Sequence, residues 1–136
     1  MVNRSLPNPL MAVVASANHA GQDDRLSPAA LAMIADFFKM LAEVSRLEIV
    51  CALKQGPLTV SQIIEQTGLG QANVSKHLKL LTNAGILSRT QQGVNVVYEI
   101  ANPVIFPLCD LVCNSLVSQL HQQNQALESL QLFSRV

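Results

Sequence analysis

Apolar positions in this chain keep two different periods, and the change from one to the other marks out its elements. Leu31, Ile34, Phe37, Phe38 and Leu41 recur at helical spacing behind Ser27-Pro28, a capping hydroxyl followed by a proline suited to the first helical position. Residues 45–53 predict a short helix with Leu47, Val50, Cys51 and Leu53 inward and Arg46 and Glu48 outward. Gln55-Gly-Pro57 stops it. Thr59-Val-Ser-Gln62 has the form of a capping box, and Val60, Ile63 and Ile64 then supply one apolar face. Thr67-Gly-Leu-Gly70 turns the chain into a second helix from Gln71, on which Val74, Leu78 and Leu81 fall at i, i+4 and i+7. After Asn83-Ala-Gly85 the pattern becomes β-prone at 86–90 and 96–100, joined by the glycine-containing 91–95, which predicts a hairpin. Asn102-Pro103 opens a last helix over 103–133. Its stripe of Leu108, Leu111, Val112, Leu116, Leu120, Leu127 and Leu130 runs among Gln, Asn and Ser. Pro107 removes a helical hydrogen bond, so the regular helix is expected to start or bend there.

Helix, tight turn, helix and hairpin over 59–100 are the plan of a winged helix-turn-helix, so the expected fold is mainly α with a small β-hairpin. The chain divides into a flexible tail over 1–25 and one domain over 26–136. The last helix carries more apolar surface than one small domain needs. The first is apolar enough to pack on a partner too, and dimerisation through both is expected. Phe37, Phe38, Phe106 and Phe133 are read as core or dimer contacts.

On the second helix of the head, Ala72, Ser75, Lys76, Lys79 and Asn83 lie opposite the apolar row, a small, polar, cationic face suited to a major groove. Gln71 and Asn73, near the helix start, are candidates for direct base readout, and His77 for a half-buried flank or a phosphate contact. Arg89, Gln91, Gln92 and Asn95 at the hairpin tip are placed to meet the sugar-phosphate backbone or an adjacent minor groove. The competing reading makes Lys76, Lys79 and Arg89 a solvated surface.

Composition narrows the classes. The 136 residues carry nine basic and nine acidic side chains and are 49% hydrophobic, enough for a core and without the global cationic field of nonspecific nucleic-acid binders. Contact with DNA must then be local. Three cysteines, an odd count, argue against a secreted disulfide scaffold. The apolar run at 9–17 is too short for a convincing leader, no span of membrane length exists, and a cytoplasmic protein is expected. His19, in the tail, is read as solvated. Ser75, His77 and Asp110 lack the glycine pattern of a nucleophile elbow, so no enzyme is expected.

Arg46-Leu-Glu-Ile-Val-Cys-Ala-Leu53, Leu69-Gly-Gln-Ala-Asn-Val-Ser-Lys-His-Leu78, Leu81-Thr-Asn-Ala-Gly-Ile-Leu87 and Val97-Tyr98 together resemble the ArsR/SmtB family of bacterial repressors, over about residues 26–120. The resemblance implies a homodimer that sits on double-stranded operator DNA and is released by a metal, a metalloid or a thiol-reactive signal.

Cys109 and Cys113, four apart, emerge on one face of the last helix. Cys51 comes from another helix, so three sulfurs can converge on a soft ion or form a sulfur-sulfur bond. The bland alternative is three inert buried thiols. The family's arsenical site needs a Cys-x-Cys pair where this chain has Val60-Ser-Gln-Ile63. Its zinc site would find only Asp110 and His121, with Val112 where the first histidine belongs. Cys51 resembles the first cysteine of the sulfide- and persulfide-sensing branch, whose partner lies on the last helix. Cys109 and Cys113 both remain open as that partner, as does a three-thiolate site for As(III) or Sb(III) as inducer. No resident cofactor is expected.

Overall fold

The computed structural model describes residues 25–135. The expected flexible tail, apart from Arg25, and with it His19 and the 9–17 run, lies outside the described residues. Two compact units divide the chain, Met1–Met33 and Ile34–Val136, and every surface discussed below belongs to the second.

Helix α1 spans Pro28–Leu41 and crosses that division. Ser27 Oγ accepts the Ala30 N–H at 3.1 Å, the cap expected of Ser-Pro. Phe37, Met40 and Leu41 rest against the core, and the Phe37 and Phe38 rings meet edge to face at 5.8 Å.

Helix α2 spans Val44–Leu53 and buries Ile49, Val50 and Leu53. This corrects the expected inner face, because Leu47 is 41% exposed and Cys51 is exposed. Arg46, expected outward, turns in towards Glu43, with its side chain 17% exposed. Apolar residues occur on all sides of this helix, so periodicity alone did not fix which side faces in.

Strand β1 (Leu58–Thr59) leads into α3 (Val60–Thr67). The capping box forms as expected: Thr59 Oγ1 accepts the Gln62 N–H at 3.3 Å, and Gln62 Oε1 accepts the Thr59 N–H at 2.9 Å. Gly68, at φ 73°, closes α3 in the left-handed conformation that its missing Cβ allows. Helix α4 (Gln71–Asn83) follows and buries Val74, His77, Leu78 and Leu81. It ends in a Schellman turn, in which the Gly85 N–H donates to Thr82 O and the Ile86 N–H to Leu81 O, both at 3.0 Å. Buried Leu81 and Ile86 supply the apolar pair that usually accompanies that turn.

Strands β2 (Leu87–Gln92) and β3 (Asn95–Ile100) pair antiparallel, with Leu87 opposite Ile100 and Gln92 opposite Asn95. The hairpin is longer and its loop shorter than expected. Gln91, Gln92 and Asn95 are strand residues, and only Gly93 and Val94 turn. Gly93 has φ 63° and Val94 has no positive φ, the signs of a type II′ turn whose twist matches the strands. The two-residue β1, pairing with β3 through Leu58–Tyr98 and Thr59–Val97, completes a sheet of order β1-β3-β2 that the periodicity did not reveal.

Helix α5 spans Ile105–Ser134. Asn102 Oδ1 accepts the Val104 N–H at 3.1 Å just ahead of it. Pro107 therefore occupies the third helical position, where an N–H has no intrahelical acceptor to lose. Ile49, Val50, Leu53, Ile63, Val74, Leu78, Leu81, Ile86, Leu87 and Ile105 form one core. Ile105 is the single buried residue of α5. From Asp110 to the end of the described chain every residue is exposed.

Candidate nucleic-acid interface and thiol cluster

Helix α4 divides cleanly by face. Gln71, Ala72, Asn73, Ser75, Lys76, Lys79 and Asn83 are exposed, whereas Val74, Leu78 and Leu81 are fully buried. Gly70, which caps the helix start, offers no side chain, and the first turn holds no acidic residue. The first-turn N–H groups thus add partial positive charge to the face that carries the two lysines.

His77 departs from the expectation. It is 5% exposed and has no surface from which to reach a phosphate. Its position completes the row 74, 77, 78, 81 on the inward side, a spacing already present in the sequence. His77 Nδ1 lies 3.4 Å from Glu43 Oε2, and Arg46 Nε lies 3.4 Å from the same oxygen. None of these three buried atoms makes a hydrogen bond. The separations are within ion-pair reach but lack hydrogen-bond alignment, so the contact is electrostatic. It gathers the corner before α2 and the middle of α4 on one carboxylate.

Arg89, Gln91, Gln92 and Asn95 are all exposed on the hairpin. Gln91 Nε2 donates to Gly93 O at 3.1 Å, so part of its capacity goes to holding the tip. Lys79 and Arg89, ten positions apart in the sequence, line one surface cavity together with Thr82, Asn83 and Tyr98. Thr82 and Tyr98 were not among the sequence-derived candidates. Only the strand register and the end of α4 bring them there.

The three cysteines are free thiols: Cys51 and Cys113 are exposed and Cys109 is half-buried. Cys109 packs against the core. Burial pushes its thiol above the ordinary value, Lys54 opposes that shift, and Cys51, Cys113 and Asp110 reinforce it. Cys109 is thus the sulfur that feels both others. Lys54 Nζ stands 3.8 Å from Asp110 Oδ1, which ties the end of α2 to the start of α5. Along α5, Cys109, Cys113, Leu116, Leu120, Leu127 and Leu130 keep the four-and-three spacing of one seam. Among the described residues no three His, Cys, Asp or Glu side chains are placed to hold a single metal ion. Ser75 is exposed, His77 faces Glu43 and Asp110 faces Lys54, so these three do not assemble a hydrolytic set.

Residues 43–89 match the family model described as bacterial regulatory protein, arsR family. The transcriptional regulator NmtR of Mycobacterium tuberculosis is 34% identical over 85 residues, covering 62% of this chain and 71% of the relative. The chain belongs to the ArsR family. As a member it is a DNA-binding transcriptional repressor and not an enzyme. The probable mercury resistance operon repressor of Streptomyces lividans is 31% identical to this ArsR-family protein over 74 residues, 54% of this chain and 59% of the relative. Among solved structures, the homodimeric winged helix-turn-helix DNA-binding domain of Mb0332 from Mycobacterium bovis, described as a possible ArsR-family regulator, superposes with a TM-score of 0.65. It is 32% identical and covers 76% of this chain and 95% of that one. No helix among the described residues is long and apolar enough to cross a membrane.

Proposed function

We propose that this ArsR-family repressor acts in the cytoplasm as a homodimer. In this reading it leaves its operator when a persulfide or related sulfane-sulfur donor joins Cys51 to a cysteine of α5. The observation that carries the reading is a set of free thiols on two elements, exposed Cys51 on α2 and half-buried Cys109 with exposed Cys113 one turn apart on α5. An exposed thiolate takes the terminal sulfur of a persulfide RS–SH, giving protein–S–SH and releasing RSH. A second cysteine then attacks the inner sulfur, forms protein S–S and releases hydrogen sulfide. The donor is reduced and two protein thiols are oxidised, so no further oxidant is needed.

Two recognition helices spaced for successive major grooves need a fixed angle between each head and the dimer seam. A link between α2 and α5 changes that angle, because α2 shares one core with the head and α5 carries the seam. A link that favours the nonbinding arrangement by about 1.4 kcal/mol weakens affinity tenfold. On the DNA side, Gln71 and Asn73 read bases, while Lys76, Lys79 and the hairpin residues meet the backbone.

The test pairs intact-mass spectrometry with a gel shift on the protein's own upstream DNA, after separate exposure to persulfide, peroxide and arsenite. The reading expects persulfide to remove two hydrogens, or add bridging sulfur, between Cys51 and Cys109 or Cys113, and to release the DNA. Cys51→Ser is expected to stay bound. A Cys51→Ser protein that still releases DNA with persulfide defeats the linkage. Release by arsenite with all three cysteines engaged would move the reading to a three-thiolate inducer site.

A further inference from the structure

We propose that the notch between the second half of α4 and the wing is a seat for one phosphodiester group of the DNA backbone. The proposal rests on the DNA-binding reading and adds the place where the helix and the wing grip the same strand. Lys79, Thr82 and Asn83 of α4 and Arg89 and Tyr98 of the wing enclose a cavity of about 290 Å³. Arg89 stands opposite Tyr98 in the β2–β3 register, so both side chains leave the same face of the hairpin. No carboxylate lines the notch. Two cations therefore face whatever enters, with an amide and a phenol beside them as donors.

The negative end of the α4 dipole would normally oppose an anion here. The Schellman turn weakens that objection, since the carbonyls of Leu81 and Thr82 already accept N–H groups from Ile86 and Gly85. A base edge can accept from one cation but carries no formal charge to balance two. A phosphodiester carries one negative charge on two acceptor oxygens and matches this donor set. Because the walls come from both the recognition helix and the wing, one phosphate held here fixes both against the duplex.

The experiment uses the full chain, a duplex from its own upstream region and salt-dependent fluorescence anisotropy, with ethylation interference to locate the critical phosphates. Lys79→Gln and Arg89→Gln are each expected to lower the slope of log affinity against log salt by about one per head. Tyr98→Phe removes the phenolic hydroxyl and keeps the ring. It is expected to weaken binding several-fold at unchanged slope and to erase interference at one phosphate per half-site. Inorganic phosphate at constant ionic strength is expected to compete no better than chloride. Competition by phosphate that disappears in Tyr98→Phe would instead assign the notch to a free anion and overturn the proposal. An interference pattern identical in wild type and all three variants overturns it too, while leaving DNA binding intact. A wild-type protein that binds no duplex removes the DNA-binding reading itself.

Discussion

Helices α4 and α5 are both amphipathic, yet the 13-residue α4 buries four residues and the 30-residue α5 buries one. The apolar row of α4 is covered by its own chain. That of α5 is not: Leu116 is 52% exposed, Leu120 63%, Leu127 51% and Leu130 68%. Most helical stability in proteins comes from packing an amphipathic face, and each buried leucine adds about 1.5–3 kcal/mol. The head thus holds itself together, whereas the seam of α5 is left uncovered by its own chain. The thiols lie where the two regimes meet.

Truncation gives the largest expected contrast. Leu78→Ala, at a fully buried site, is expected to cost about 2–5 kcal/mol in urea unfolding. Leu120→Ala is expected to leave the unfolding of dilute protein within about 0.5 kcal/mol of wild type while shifting self-association in sedimentation to higher concentration. Equal losses at both sites, measured where the protein is monomeric, would erase the distinction between the helices.

The Glu43 corner sharpens the comparison inside the head. Glu43→Gln is expected to cost about 1 kcal/mol of stability, low in the range for buried polar partners because the Glu43 side chain is 40% exposed. A double-mutant cycle with His77→Gln is expected to show coupling. Additive losses would mean that the 3.4 Å approach contributes nothing to holding α4.

Thiol labelling gives the smallest and most local effect. Burial raises the Cys109 thiol, so iodoacetamide should reach exposed Cys113 first. Cys109 labelling should keep rising at pH values where an ordinary thiol has levelled off. A raised folded-state value also means that this group's contribution to stability is full below the ordinary thiol range and is lost as pH climbs through the folded value. Lys54→Gln should delay Cys109 labelling further, since Lys54 opposes the shift. Faster labelling of Cys109 than of Cys113 would reverse the order of reaction drawn here.

Much of this was legible because it is local. The Thr59 capping box, the Ser27 cap, the face of α4 carrying Lys76 and Lys79, and the hairpin all follow from spacing and turn chemistry within a few residues. The misreadings share a different cause. Leu47, Cys51 and Arg46 were turned the wrong way because the apolar residues of α2 surround the helix. His77 was read as a half-buried flank or a phosphate contact, although its spacing with Val74 and Leu81 points fully inward. Its residue type suggested water, and only Glu43 and Arg46, some thirty positions earlier, supply the polar surroundings that make burial tolerable. Strand β1 was missed because two residues show no period.

By itself the sequence determined the order of the helices and the hairpin, the division of α4 into an oily and a cationic side, and an unusually long last helix with a seam. Those properties depend on short-range sterics and on the repeat of the helix and the strand. Tertiary structure alone decided which side of α2 packs, that Cys109 rests against the core while Cys51 and Cys113 stay exposed, and that Lys79 and Arg89 share a notch with Tyr98. Each of these depends on how separate elements settle against one core, where the packing of the whole set outweighs the preference of any single residue.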